Sequence, residues 1–461
     1  MSHSGKRATT LEEVDQAVQF NEPIAPDHAF FTKFSDLRGG FEEKLIYKNL
    51  NVSTKGGKFT FNPSINSNNK SLLFLGGMRG TGKTSKLARY AQNLNHADCF
   101  FVITCNVDEE LDMNDVEYMD ILIFQLEKMT ARLQKEGISV DKGMIGKMEK
   151  WFQERTREVV KSLQMETGIE AGIKMDKTGL LSNLLGIFGN WKVGMKGSRD
   201  LSNTIRTTLK NRFPTFARIF NQYLEEVNFA IRTRGVAQEV CFIIDGLEKT
   251  MSTATRRKII IEESNRLQQI AAYTIFTLPI ELMKERQLLN QFSNVEAFPF
   301  VKLLQANNTT ISAAWERYLS FIERRIAPEL FEHKEVALKA IYYSGGSPRE
   351  LLRILELAAF FSDEEAGKIT HFAMDKALQR LANQTAQYLT EPMLEKLQQI
   401  KVCNETNAPL PAFDEVIQEM LEKVLIMEYN DGNYKRANPI LELSNLYQQR
   451  VGRVEYLTGR I

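Results

Sequence analysis

The chain has 461 residues, 43% hydrophobic and 25% charged, with 59 basic against 58 acidic residues for a net charge of +1. That length exceeds one compact core and sets an expectation of about two to four domains, while the balanced charge supplies no global drive toward nucleic acid or a membrane surface. The four cysteines (Cys99, Cys105, Cys241 and Cys403) form no CxxC pair and read as reduced thiols, and no apolar run approaches the ~20 residues of a membrane helix, so the expected location is cytoplasmic.

In chain order, residues 1–22 show little periodicity and read as a mobile arm. Residues 28–62 alternate aromatic and polar positions around Gly39-Gly40 and Gly56-Gly57, a pattern of short strands and turns, and 62–70 is a linker-like loop. Near-continuous apolar runs at 72–75, 99–105, 240–244 and 273–277 read as parallel strands covered on both faces, with helical stretches between them. Between the second and third runs, 115–135 and 147–163 carry helical spacing. Alternation at Ile169, Ala171, Ile173 and Met175, and again at Trp191, Val193 and Met195, predicts a hairpin-like insertion within about 138–215, joined by an apolar flap at 180–190.

The acidic run from Asp108 to Glu117 reads as a solvated loop, since it lacks the glycine and terminal Glu of an EF-hand. After residue 300 the pattern is helical at 315–325, 334–344, 348–361 and 371–381, a lid, then at 393–401 and 411–423. Apolar 424–429, Asn430-Asp431-Gly432 and 433–436 follow as a hairpin, so helices and hairpin together predict a winged helix. With Gly77-x-x-x-x-Gly82-Lys83-Thr84 between the first apolar run and a helical stretch, the expected fold is α/β, a P-loop NTPase parallel sheet with a helical lid and a C-terminal winged-helix domain. Its divisions fall at 1–69 (arm and lead-in), 70–300 (core), 301–388 (lid) and 389–461 (winged helix).

Chemistry concentrates at three places. The run Gly77-Met-Arg79-Gly80-Thr81-Gly82-Lys83-Thr84-Ser85 follows a strand and opens a helix. There, backbone N–H groups and the helix N-terminus cradle phosphates, Lys83 reaches the β- and γ-phosphates, and Thr84 holds Mg²⁺. Val240-Cys-Phe-Ile-Ile-Asp245 is an apolar strand ending in a carboxylate for the Mg²⁺ shell, and Glu248, three residues on, can orient water. Thr277 ends the fourth strand with a hydroxyl suited to the γ-phosphate, and Gly345-Gly-Ser-Pro348-Arg349 starts a lid helix that carries a guanidinium toward the cleft.

Together, GGMRGTGKT, CFIIDGLEK, the strand ending Thr-Leu-Pro, GGSPRELLRIL and the C-terminal winged-helix pattern resemble AAA+-related ATPases of the STAND class and their origin-recognition-type and KAP-like relatives, over roughly residues 70–440. The resemblance implies ATP and Mg²⁺ as cofactors. It also implies Lys83 and Thr84 on phosphate and metal, Asp245 on metal, Glu248 as catalytic acid, Thr277 as sensor 1 and Arg349 as sensor 2. Gly246 stands where AAA+ enzymes usually have Glu, and Lys249 where a second acid is common, departures that point to slow turnover. Arg256, Arg257 and Arg266 are candidates for an arginine finger.

The favoured function is an ATP-driven switch that couples nucleotide state to homo-oligomerisation or to a separate effector protein, and relatives imply a bacterial antiphage setting. A DNA-loading or transposition-type ATPase and a nucleotide-bound scaffold with negligible turnover are the alternatives. DNA is not favoured, because Asp414, Glu415, Glu419 and Glu422 outweigh Lys423 on the helix that would enter a groove, leaving Lys435 and Arg436 as a small basic spot on a solvated wing.

Overall fold

Five described strands pair in parallel: β1 (Leu72–Gly76), β2 (Phe100–Asn106), β3 (Glu239–Asp245), β4 (Tyr273–Leu278) and β5 (Val295–Ala297), in the sheet order β2-β3-β4-β1-β5. The computed structural model describes residues 5–21, 23–63, 70–167, 180–249, 252–305, 308–363 and 367–453. Every residue of β1 is buried, as a strand covered on both faces requires. Leu73 and Leu75 pack in one core with Leu87, Tyr90 and Leu94 of α1 (Lys83–Leu94), while Leu72 and Phe74 face a second core. The order puts β4 between the phosphate-loop strand β1 and the acid-bearing strand β3. In register, Leu75 lies opposite Thr277, and Asn106 opposite Asp245.

The second core is roofed by helices that run from β2 to β3: α2 (Tyr118–Lys135), α3 (Lys142–Thr167), α4 (Leu180–Met195), α5 (Arg199–Asn211) and α6 (Phe213–Thr233). The expected strand at Trp191, Val193 and Met195 is instead the end of α4. Leu184, Ile187, Phe188, Trp191 and Met195 are buried at spacings of three and four, one helical face, and the Trp191 indole donates to Thr156 Oγ1 at 3.0 Å. The alternation misled because Val193, on the opposite side of the helix, is 66% exposed. The other half of the expected hairpin, 169–175, lies outside the described residues.

The helices expected to form a lid are α7 (Ser312–Glu323), α8 (Lys334–Tyr343), α9 (Pro348–Phe360) and α10 (His371–Ala386). Beyond it come α11 (Glu391–Thr406), α12 (Glu415–Glu422) and an antiparallel hairpin of β6 (Ile426–Tyr429) and β7 (Tyr434–Ala437). One hydrophobic core joins lid, hairpin and the N-terminal segment.

Three expectations are thereby corrected. Residues 5–21 are no mobile arm: Ala8, Val14, Ala17 and Val18 are buried, and Ala8 exchanges backbone hydrogen bonds with Arg325 and Ala327 at 2.7 and 2.9 Å. Residues 28–62 contain the helix Glu43–Asn49 and only the two-residue strands Val52–Ser53 and Thr60–Phe61, because the aromatics anchor the segment to neighbouring elements instead of pairing along a ladder. The wing is not solvated: Lys435 and Arg436 are engaged with the buried carboxylates Glu428 and Glu442. Among the described residues no helix is long and apolar enough to cross a membrane.

Candidate functional site

The loop between β1 and α1 depends on its glycines. Gly80 and Gly82 hold φ values of +88° and +90°, which L side chains rarely adopt, and a Cβ on Gly77 would come within 2.6 Å of the Phe298 carbonyl. The buried Lys83 donates from Nζ to the Gly77 and Met78 carbonyls at 2.7 and 3.1 Å, so the ammonium lies across the mouth of its own loop. The Thr84 hydroxyl hydrogen-bonds the carboxylate of Asp245, at the end of β3.

Burial, and then the neighbouring Glu248 carboxylate, push the Asp245 carboxyl above its ordinary range. Glu248 accepts from the Thr277 hydroxyl at 2.7 Å and lies 3.9 Å from Lys83 Nζ. Sheet order explains the meeting: Thr277 lies one residue before the end of β4, the strand between β1 and β3, and can reach residues from both. The buried Asp245 carboxylate and the half-buried Glu248 carboxylate beside a hydroxyl make a donor set that fits a hard divalent cation, which would relieve their mutual repulsion.

Gly246 itself takes φ +96°, and a Cβ there would overlap the Asp108 carboxylate and lie 3.1 Å from the Asp108 backbone nitrogen. A Glu directly after the strand acid would therefore be strained by the backbone conformation and would displace the Asp108 carboxylate. Of the acidic run, Glu109, Asp112 and Asp115 are exposed, as a solvated loop requires, but several members are engaged: Asp108 pairs with Lys249, Glu110 with Lys128 and Lys192, Asp115 with Arg206, and Glu117 with Lys210 and Lys258.

The lid meets the loop through the turn before α9. Gly345 and Gly346, with φ +59° and +80°, are squeezed against Met427 of the hairpin and the Val301 carbonyl. That turn aims Ser347 so that its hydroxyl donates to the Gly80 carbonyl at 3.3 Å while capping α9 through the Glu350 N–H. Arg349 consequently lies beside the loop, but its guanidinium donates to Asn21 at 2.7 Å and lies over Phe20. Burial and the nearby Arg79 lower its affinity for a proton. Arg256, Arg257 and Arg266 are all occupied within the chain, by Glu281 and Glu422, by Glu285 and by Glu263 respectively.

Absent from the sequence-derived set is the N-terminal segment. A cavity of about 100 Å³ adjoins Thr81, Gly82 and Ser85 and is lined further by Ile24, Phe30 and Arg38. The buried Arg38 bonds the Thr81 carbonyl at 2.6 Å and also the Pro299 carbonyl, with its guanidinium 4.0 Å from the Phe298 ring centroid. Burial lowers it to about 10. Ile24 donates from its backbone to Ser85 Oγ at 3.3 Å. The available signal was one arginine inside the aromatic run 30–41.

No protein-family model matches the chain, and no curated protein does. Among solved structures it is similar to a Walker-type ATPase of Pyrococcus abyssi, at 12% identity over 80% of this chain and 89% of that one, with a TM-score of 0.37. It is also similar to Cdc6p from Pyrobaculum aerophilum, at 9% identity over 93% of this chain and 98% of that one, with a TM-score of 0.34. At TM-scores of that size neither likeness transfers a residue role. The P-loop α/β fold stands on the strand order and on the loop between β1 and α1.

Proposed function

We propose that the protein binds a nucleoside triphosphate, ATP, with Mg²⁺ at the 77–85 loop, hydrolyses it slowly, and acts as a nucleotide-dependent switch. The observation that carries this reading is the convergence of Lys83, Thr84, Asp245, Glu248 and Thr277, contributed by three separate segments, at the carboxyl ends of the central strands. Lys83 exchanges the Gly77 and Met78 carbonyls for phosphate oxygens. Thr84 and Asp245 hold the cation, whose chemistry when bound is to neutralise charge developing on the phosphate oxygens. Glu248, steadied by Thr277, orients the attacking water and accepts its proton. The cavity beside Gly82 takes the nucleoside, covered by Ile24, Phe30 and Arg38.

The switch reading is supported by contact between the loop and the C-terminal unit, which we assign as a winged helix from about residue 389. The Glu428 N–H points at Met78 Sδ at 3.4 Å, and Lys284, after β4, pairs with Glu428 at 3.0 Å. A nucleotide that rearranges the Met78 carbonyl acts one residue's length from the hairpin, and the output is self-association or engagement of a separate effector. Lys83→Ala tests the reading: it deletes the loop's ammonium, so affinity for a fluorescent ATP analogue falls about a hundredfold or more in a variant that still unfolds cooperatively. Unchanged affinity and turnover refute the site.

A further inference from the structure

Glu248 lies in a tight turn, Leu247–Lys249, that directly follows β3. The front of this turn is held from within the sheet: the Gly246 N–H donates to Asp245 Oδ1 at 3.0 Å and to Thr277 Oγ1 at 3.1 Å. Its back closes through the Lys249 N–H to the Gly246 carbonyl at 3.0 Å, and the Lys249 side chain is anchored by an ion pair with Asp108, 141 residues away in sequence. Asp108 reaches this position because β2 ends opposite Asp245 and turns at Val107–Glu110 across the end of β3. It is wedged there as well, for its carboxylate fills the space that any side chain at Gly246 would need. The same short turn is gripped from the other side: Glu110 pairs with Lys192 of α4 at 3.1 Å, and Lys192 also pairs with Glu127 of α2 at 2.6 Å.

We infer that Asp108 is a positioning residue for hydrolysis, which holds Glu248 in place through Lys249, and that Lys192 ties this brace to the helical insertion. In an enzyme with Glu directly after the strand acid, the strand itself aims the carboxylate. Here the carboxylate rides three residues further on, in a turn that needs its own support. A half-exposed ion pair adds little to global stability. Its effect is local, on the orientation of a group whose placement within a fraction of an ångström sets the rate. The brace also gives the insertion a mechanical route to turnover: displacement of α4 loosens the Val107–Glu110 turn and with it Glu248.

This inference rests on the proposed role of Glu248, and the experiment separates the two. Mg²⁺-dependent turnover and nucleotide affinity are measured on the full chain for wild type, Glu248→Gln, Asp108→Asn, Lys249→Met, Lys249→Arg and the Asp108→Asn/Lys249→Met pair. Asp108→Asn and Lys249→Met each lower kcat about tenfold with affinity within about twofold, the double variant is no slower than the slower single one, and Lys249→Arg retains most of the rate. Hydrogen exchange over residues 244–249 reads the turn without relying on turnover and is faster in Asp108→Asn, Lys249→Met and Lys192→Met. If Glu248→Gln hydrolyses like wild type, the role of Glu248 fails and this inference with it. If Glu248→Gln is slow while Asp108→Asn keeps the wild-type rate and exchange, only the brace is overturned. Unchanged exchange in Lys192→Met overturns the link to the insertion.

Discussion

Replacing Gly246 asks whether the missing Glu after the strand acid can be restored. The backbone at this position has φ +96°, a region that costs an L residue about 1–2 kcal/mol. A Cβ would sit 3.1 Å from the Asp108 backbone nitrogen, closer than a relaxed contact and worth about another 1 kcal/mol, since neighbouring backbone gives way poorly. The same Cβ displaces the Asp108 carboxylate and releases Lys249, whose side chain is 52% exposed, so that pair adds only about 0–1 kcal/mol. Gly246→Ala therefore loses about 2–4 kcal/mol, and Gly246→Glu loses more, because a second carboxylate enters the space of the first. A denaturant titration followed by tryptophan fluorescence suits the purpose: Trp151 and Trp191 lie in the same core as Ile244 and Leu247, which flank Asp245 and Gly246. Nucleotide turnover is measured in parallel and does not rise in Gly246→Glu. A Gly246→Glu variant with an unchanged midpoint and faster hydrolysis would refute the reasoning.

Asp245→Asn stabilises the nucleotide-free protein at about pH 8. The folded carboxyl titrates above its unfolded value, so the native state binds more protons across that window, and wild-type stability falls as pH rises through it. Melts with and without Mg²⁺ from about pH 4.5 to 8 should lose both the slope contributed by this group and the Mg²⁺ response in the variant, and an identical Mg²⁺ response would contradict it. Arg349→Ala leaves nucleotide affinity within about threefold but abolishes the nucleotide-dependent change in protease sensitivity around the Asn21 contact; an unaltered change counts against a sensing role. DNA binding by the full chain stays at the weak, non-specific level in an anisotropy series across salt, because Lys435 and Arg436 already neutralise Glu428 and Glu442. Tight, steeply salt-dependent binding would revive the DNA-loading alternative.

Much of the core was legible in the linear chain. The four apolar runs become β1 to β4 within a residue or so of their expected ends, the loop at 77–84 sits between strand and helix as its glycines require, and Asp245 ends β3. These features are local: a strand buried on both faces must be apolar throughout, and a phosphate loop needs φ values that only glycine supplies cheaply. The lid helices are equally local, since each carries its own period. Where two periods overlapped, local reading failed. Trp191, Val193 and Met195 alternate, yet Leu184, Ile187 and Phe188 recur on the face of Trp191, and packing against α2 and α3 selects the helix.

Tertiary structure alone decided which distant groups share a site. Nothing near residue 8 announces that it bridges Ile326, nothing near Arg38 announces the Thr81 carbonyl, and nothing in the acidic run singles out Asp108 as the carboxylate that fills the side of Gly246. Charge pattern gave the wrong answer for Lys435 and Arg436 for the same reason: their partners Glu428 and Glu442 lie elsewhere on the hairpin and beyond it, and the burial of those carboxylates appears only once β6 and β7 are packed into the core. Backbone conformation and burial period are properties of a few consecutive residues and can be read from them. Ion pairing, steric exclusion and the convergence of a site depend on chain segments brought together by the sheet order, and that order is set by packing of the whole molecule.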